Sequence, residues 1–582
     1  MSDTLRAVGG APRADWTTCP GCGWLLYHKR LARNLLVCPE CDHHLRMTAR
    51  ERIDLLVDPD SFDEVEFPPL PPDPLDFVDL RGYGDRLTEA VARSGESEAV
   101  VVGSALLGGH DVVLAVTDFG FLGGSMGLEV GRRISEAADL ASGGRVPLVV
   151  VCASGGARMQ EGVFSLLQMA RTATAVARLR EAGVLSICVL TDPTYGGVSA
   201  SFATLGSVVV AERGAHVGFA GPRVVQETIR AALPDGFQTA EFLLAHGLVD
   251  RVESRADLRP MLVGLVSAHT RRTPGESGAV VELPRTSRRL RALGRGSGAP
   301  AAEPPDAWDT VQAARKIDRP TTLDYLGLVF DDFWELHGDR VHADDPAVVG
   351  GVATLDGRAV VVIGQQKGHA LPELVAHNFG MPHPEGYRKA VRLMEHAEAF
   401  GMPVVTLVDT PGAHPGPEAE ERGQSLAIAD AISRSARLRV PVVAVITGEG
   451  GSGGALALST SDRLLVLENA FLSVISPEGC AAILWRTASS APAAARALRL
   501  GAAHLLEAGI ATGVVPEPEG GASADPLGCA ATLRAALAHE LRELAGTPAE
   551  ELLTAREERF ARLGTGQPVA PSRALAAPRR RS

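Results

Sequence analysis

The chain resembles itself. VPLVVVCASGGA (Val146–Ala157) returns as MPVVTLVDTPGA (Met402–Ala413), and TDPTYGGVSA (Thr191–Ala200) returns as TGEGGSGGAL (Thr447–Leu456), both displaced by 256 residues. Upstream, Val100–Val113 returns as Val348–Val361 at a displacement of 248. A solenoid unit would recur every few tens of residues, so this spacing marks a duplicated domain. Each copy runs an apolar strand into a glycine-rich turn, and does so twice. A strand ending in glycines lets a ligand approach the main chain and meet its N–H groups. The expectation is two copies of one scaffold, each presenting N–H groups to an oxygen.

The rest of the sequence fits around that repeat. At 582 residues the chain has room for several domains, and its 45% apolar residues can build cores of normal size. Continuously apolar runs (Val100–Leu106, Val112–Val116, Val146–Val151, Leu185–Leu190, Val208–Ala211) alternate with helical patterns (Leu128–Ala141, Val163–Ala182). This is the signature of a largely parallel α/β sheet buried on both faces. Aromatics at 4% and a net charge of −13 speak against a stacking platform or general affinity for nucleic acid or anionic membrane. Neither a signal-peptide core nor an apolar run of membrane-spanning length is visible, so a cytoplasmic protein is expected.

Domain boundaries are expected at 15–45, 46–270 and 306–545, with a linker at 271–305 and a helical end and disordered tail at 546–582. The linker is rich in Arg, Gly, Pro and Ser; a solvated spacer explains it better than a nucleic-acid arm. Thr48 and Glu51 form a capping-box pattern before the first large domain.

Four of the eight cysteines crowd into Cys19, Cys22, Cys38 and Cys41. Two Cys-x2-Cys pairs fifteen residues apart have the spacing of a zinc ribbon. Four thiolates close the tetrahedral shell and leave no position for substrate, so one structural Zn²⁺ per chain is expected. Cys152, Cys188, Cys480 and Cys529 read as reduced thiols, three of them within or beside apolar segments.

The glycine turns are SGGAR (Ser154–Arg158), YGGVSAS (Tyr195–Ser201), TPGAHPG (Thr410–Gly416) and GEGGSGGALA (Gly448–Ala457). Where a helix starts at such a turn, its first N–H groups lack internal partners and carry partial positive charge. That is the makings of an oxyanion hole. No phosphate loop or dinucleotide fingerprint is present, and the four lysines (Lys29, Lys316, Lys367, Lys389) give little scope for Schiff-base chemistry. GGSGG (Gly450–Gly454) also fits the nucleophile elbow of serine hydrolases, with Ser452 as nucleophile. The repeat speaks against it: Ser452 corresponds to Gly196, so the glycines recur and the hydroxyl does not. An oxyanion hole without an obligatory nucleophile suits chemistry through an enolate.

These motifs carry a family resemblance. The ribbon, SGGARMQEG, LTDPTYGGVSASFATLG, GFAGPRVVQETI and LPDGFQTAEFLLAHGLVD resemble the β subunit of bacterial acetyl-CoA carboxylase carboxyltransferase. RPTTLDYLGLVFDDFWELHGDR, ADDPAVVGGVA, NFGMPHPEGYRKAVRLMEHAEAFGMPVVTLVDTPGAHPG, AEERGQS, GEGGSGGALAL and SVISPEGCAAILWR resemble its α subunit. The resemblance covers about residues 15–270 and 306–545 and implies a β–α fusion. It implies two crotonase-like (ClpP/crotonase) domains, and carboxyl transfer from carboxybiotin to acetyl-CoA, giving malonyl-CoA for fatty acid biosynthesis. In that chemistry the ureido anion left by CO2 release takes a proton from the acetyl methyl, and the enolate attacks CO2. By the resemblance, Gly156 and Ala157 hold the thioester oxygen and Gly454 and Ala455 the biotin oxygen. Gly155, Arg158, Gly196, Gly197, Gly450, Gly451 and Gly453 complete the substrate-binding walls.

The resemblance also implies separate biotin carboxylase and biotin carboxyl carrier partners, because no lysine sits between methionines and no ATP-binding carboxylase region is visible. It implies a homodimer in which the N-terminal domain of one chain faces the C-terminal domain of the other. Two departures stand out. The linker replaces the helical extension of family α subunits, and the family's basic stretch after QKG is here HALPELVAHNFG (His369–Gly380), without lysine or arginine. Arg158, Arg223 and Lys367 remain as candidates for the CoA phosphates. Propionyl-CoA is the alternative acyl substrate, since one methylene discriminates by only about 1–3 kcal/mol.

Overall fold

Strand order repeats along the chain as the sequence does. The computed structural model describes residues 16–68, 73, 75–78, 80–219, 234–270 and 306–562, so the linker 271–305, Arg223 and the tail after 562 lie outside the described residues. The chain divides into two units, Met1–Thr270 and Arg271–Ser582.

The first unit opens with a hairpin, β1 (Trp16–Thr18) and β2 (Leu25–Tyr27), which belongs to the cysteine ribbon. Its main sheet comprises β3 (Asp63–Glu64), β4 (Val100–Leu107), β5 (His110–Thr117), β6 (Leu148–Ser154), β7 (Ser186–Tyr195), β8 (Val208–Glu212), β9 (Val217–Gly218) and β10 (Arg251–Glu253). Their order is β10-β8-β7-β6-β5-β4-β3, with β9 pairing β7. The second unit has β11 (Asp332–Glu335), β12 (Val348–Leu355), β13 (Arg358–Gln365), β14 (Val404–Thr410), β15 (Val442–Gly451), β16 (Arg463–Leu467), β17 (Phe471–Ser473) and β18 (Gly513–Val515). Their order is β11-β12-β13-β14-β15-β16-β18, with β17 pairing β15. Strand for strand the two sheets have one topology, an antiparallel edge grading into parallel strands.

The match extends to irregularities. The β6–β7 register shifts between Cys152 and Ser154, and the β14–β15 register shifts between Val408 and Thr410, at the displacement of 256. Such a bulge frees a carbonyl, and a threonine on the next strand takes it in both copies. Thr191 Oγ1 donates to Cys152 O (2.8 Å) and Thr447 Oγ1 to Val408 O (3.3 Å). Three consecutive left-handed residues also recur, Leu122–Gly124 and Asn378–Gly380. The change of displacement from 248 to 256 therefore falls between β13 and Asn378, where the second unit carries the helix Leu371–Ala376.

The central strands are buried along almost their whole length. β6 and β14 have no exposed residue, so the in-and-out alternation of a half-solvated strand is absent from both. Helices supply the cover: Leu128–Gly144 and Arg255–Thr270 both pack against β5. Thr48 caps the helix Ala49–Leu56 with the expected capping box to Glu51. Among the described residues no helix is long and apolar enough to cross a membrane.

Candidate functional site: paired glycine turns and a four-cysteine centre

The ribbon gathers its four thiols as the spacing predicts. Cys19 Sγ lies 3.6 Å from Cys41 Sγ, Cys22 Sγ lies 3.8 Å from Cys38 Sγ, and all four sulfurs lie within 4.8 Å of one another. Tetrahedral zinc with bonds near 2.3 Å separates its sulfurs by about 3.8 Å, so the donor set fits the ion. Each pair sits on a tight turn closed by backbone bonds, Gly23 N–H to Cys19 O and Asp42 N–H to Cys38 O. Leu26, Leu31 and Leu36 form a small core beneath. This core is too small to fold alone, so the metal clamp and the contact with the sheet share the task.

That contact is electrostatic. Arg255 donates to Leu35 O (2.8 Å) and Leu36 O (3.2 Å) of the ribbon while its other nitrogens grip Glu212 on β8. Arg52 binds the same carboxylate at 2.7 Å. Burial alone would raise the Glu212 pKa, but the two guanidiniums hold it well below the usual carboxylate range.

At the carboxyl end of β6 the chain turns through Gly155, Gly156 and Ala157. Gly156 has φ +118°, which a side chain would resist. Its N–H donates to Ser154 Oγ at 3.0 Å, and Gly155 N–H to Gly123 O at 2.8 Å. Among the described residues the N–H of Ala157 has no acceptor. Of the pair Gly156 and Ala157 expected to hold an oxygen, the Gly156 N–H is thus already engaged by a hydroxyl at the end of the strand, whereas the Ala157 N–H is open. The next strand brings Gly196 and Gly197 against this turn: a methyl group on Gly156 would stand 3.2 Å from Gly196 Cα and 3.5 Å from Gly197 N.

The second unit repeats the construction. Gly412 (φ +146°) donates to Thr410 Oγ1 at 3.0 Å, and Ala413 N–H has no acceptor among the described residues. A methyl group on Gly454 would stand 2.6 Å from Ala413 N and 2.9 Å from the Tyr387 hydroxyl. On Gly451 it would meet Pro411 C at 2.2 Å, and on Gly450 it would meet Phe471 O at 2.6 Å. Those three positions exclude any side chain, whereas Gly453 faces only Ile428 at 3.7 Å. The helix Ser452–Ser459, capped by Gly451, leaves the N–H groups of Ser452, Gly453 and Gly454 without helical acceptors; Ala455 is the first residue within the ladder. Ala413, not singled out from the sequence, stands 256 residues after Ala157, so the open N–H recurs at the displacement of the repeat.

Two cations named from sequence are committed elsewhere. Arg158 is 1% exposed; it makes a two-pronged contact with Glu98 (2.6 and 3.0 Å) and reaches Tyr83 (3.1 Å), Glu161 (3.3 Å) and Ser125. It anchors the turn from behind and does not present its guanidinium to a ligand. Lys367 pairs with Asp409 (2.8 Å) and Glu449 (2.9 Å), and Arg315 adds a second cation to Glu449 (2.6 Å). Neither is free to meet a CoA phosphate. Ser452 is exposed, and among the described residues no histidine or carboxylate is hydrogen-bonded to its hydroxyl, so the hydrolase constellation is absent there.

Known proteins carry the same parts. Residues 301–564 match the family described as acetyl co-enzyme A carboxylase carboxyltransferase-like, residues 43–232 the carboxyl transferase domain, and residues 16–41 the acetyl-CoA carboxylase zinc finger domain. The acetyl-coenzyme A carboxylase carboxyl transferase subunits beta/alpha of Saccharopolyspora erythraea is 53% identical over 570 residues, covering 97% of this chain and 98% of its own. Its counterpart in Salinispora arenicola is 55% identical over 553 residues, 95% of this chain and 97% of its own. The separate subunit alpha of Thermus thermophilus is 58% identical over 257 residues, 44% of this chain and 81% of its own. Among solved structures, transcarboxylase 12S with hydrolysed methylmalonyl-coenzyme A superposes with a TM-score of 0.66 at 22% identity, over 89% of this chain and 92% of that one. The fold is thus α/β with two crotonase-like repeats behind a zinc ribbon. The chain belongs to the acetyl-CoA carboxylase carboxyltransferase family, in the form that joins the β-type and α-type halves in one polypeptide.

Proposed function

We propose that this chain moves the carboxyl group of carboxybiotin to acetyl-CoA, forming malonyl-CoA, and that each repeat holds one of the two reacting oxygens. In the first repeat, Ala157 N–H and Gly197 N–H receive the thioester oxygen as its negative charge grows. In the second, Ala413 N–H with Gly453 and Gly454 N–H receive the ureido oxygen of biotin. The observation that carries this reading is the recurrence, at one displacement, of a hydroxyl-satisfied glycine followed by an alanine with an open N–H. Each donor aimed at a developing oxyanion is worth about 3–4 kcal/mol in a dry site.

Gly155, Gly156, Gly196, Gly450 and Gly451 act as walls that admit the ligand close to the main chain, and Ala455 packs behind the donors. Arg158 and Lys367 serve as positioning residues: each ties its turn to buried carboxylates. No side chain of the protein has to move a proton, because the substrates supply both acid and base. Cys19, Cys22, Cys38 and Cys41 hold the structural zinc, which clamps the ribbon.

The carboxyl donor arrives on a biotin carboxyl carrier protein loaded by a biotin carboxylase, in the cytoplasm. A homodimer that opposes unlike units of two chains would bring the two kinds of turn together. Apolar side chains beside the turns favour a covered face: Met159 is 81% exposed and Leu426 78%. The deciding experiment is the reverse reaction, malonyl-CoA with free biotin. Acetyl-CoA and carboxybiotin should appear; absence of any carboxyl transfer would sink the reading.

A further inference from the structure

The repeats place one backbone at the turn after β7 and β15 but furnish it differently. Gly196 (φ +60°) opens the helix Gly196–Ser199, and 256 residues later Ser452 (φ +55°) opens the helix Ser452–Ser459. Left-handed backbone is free of strain for glycine and strained for a residue with a Cβ. The first copy shows that glycine serves this fold, so the serine needs a reason outside folding. Its side chain is exposed, and its hydroxyl has no hydrogen-bond partner among the described residues. A second polar group at the same turn is also unpartnered. Tyr387 is fully buried, and its hydroxyl, lacking any partner among the described residues, lies 2.9 Å from the point a Gly454 Cβ would occupy.

We infer that the Ser452 hydroxyl is a substrate contact for the carboxyl donor. It donates a hydrogen bond to an oxygen of the carboxybiotin head group beside the N–H groups of Gly453 and Gly454. The thioester meets no hydroxyl at the matching position, because Gly196 stands there. Ser452 is thus what makes the second turn selective for the ureido ligand. This rests on the assignment of the second repeat to biotin. It also gives the serine of the G-x-S-x-G pattern a role without a covalent step.

Two variants of the full chain test it. Ser452→Gly installs the residue of the first repeat and relieves the backbone; Ser452→Ala keeps the Cβ and removes the hydroxyl. Kinetics are read with malonyl-CoA and free biotin. Both variants should lose about tenfold or more in kcat/KM for biotin, the loss expected for a hydrogen bond to a charge-bearing oxygen. KM for malonyl-CoA should stay at the parental value, and Ser452→Gly should melt no lower than the parent. Parental biotin kinetics in either variant overturn the contact; a loss confined to Ser452→Gly, the variant that alters the backbone, would be a backbone effect. A raised KM for malonyl-CoA with unchanged biotin kinetics overturns the assignment of the halves, and the contact with biotin along with it.

Discussion

Gly453 and Gly454 are adjacent, yet their surroundings assign them opposite tolerances. Alanine at 454 would press its Cβ to 2.6 Å from Ala413 N. The turn must move, at a cost of about 1–3 kcal/mol. A donor displaced by about 1 Å can lower turnover about 100-fold. Alanine at 453 meets only Ile428 at 3.7 Å and should keep parental stability. Denaturant unfolding and reverse-reaction rates of the two variants, side by side, check both statements. Ser452→Gly should gain about 1 kcal/mol in the same unfolding assay by removing left-handed strain. His383 gives a pH dependence. Arg422, which can only donate, lies 3.1 Å from its Nδ1, a contact that disfavours the protonated ring. Burial, then His414 and Arg422, lower its pKa from 6.5, while Glu385 and Glu418 oppose them. The folded state thus takes up a proton less readily than the unfolded state. The stabilisation present above pH 6.5 is lost as pH falls. His383→Asn should flatten the acid side of the stability profile of the second unit.

The ribbon is an element whose fold and docking have separate causes. Its four sulfurs are set for one zinc, which contributes about 10–16 kcal/mol in small zinc domains. A strong chelator should therefore release one zinc per chain and free four titratable thiols, with the sheet's far-ultraviolet signal largely retained. Cys22→Ser should reproduce the change. Docking depends instead on Glu212. Glu212→Gln leaves Arg52 and Arg255 buried without their shared counter-charge, which should destabilise the first unit by about 3–5 kcal/mol. Zinc should then leave faster, because Arg255 no longer holds Leu35 and Leu36 in register. Stopped-flow chelation of the variant measures that. If docking were carried by the ribbon's apolar core alone, the release rate would not change.

At the scale of the whole chain, each unit has its own sheet and core, and each carries one kind of turn. Residues 1–270 and 306–582 produced separately should each be inactive in the reverse assay, and an equimolar mixture should recover activity. Activity in either half alone would refute the division of labour. That a separate subunit alpha from Thermus thermophilus matches the second half at 58% identity makes the experiment practicable.

The repeat, the strand and turn pattern, the capping box and the zinc ligands were all legible without coordinates. Each is written in neighbouring residues: strand burial in continuous apolar runs, metal ligation in cysteine spacing, the turns in runs of glycine. The identity of the open N–H groups was not legible in the same way. Ser154 engaging the Gly156 N–H is a local event, but Ala413 meeting Gly454 joins two strands and a helix start. Nor could the sequence tell a ligand-seeking cation from one already paired. Arg158 finds Glu98, 60 residues away, and Lys367 finds Glu449, 82 residues away. A buried charge takes whichever partner the fold brings within hydrogen-bond reach, and that proximity exists only after the chain has closed on itself.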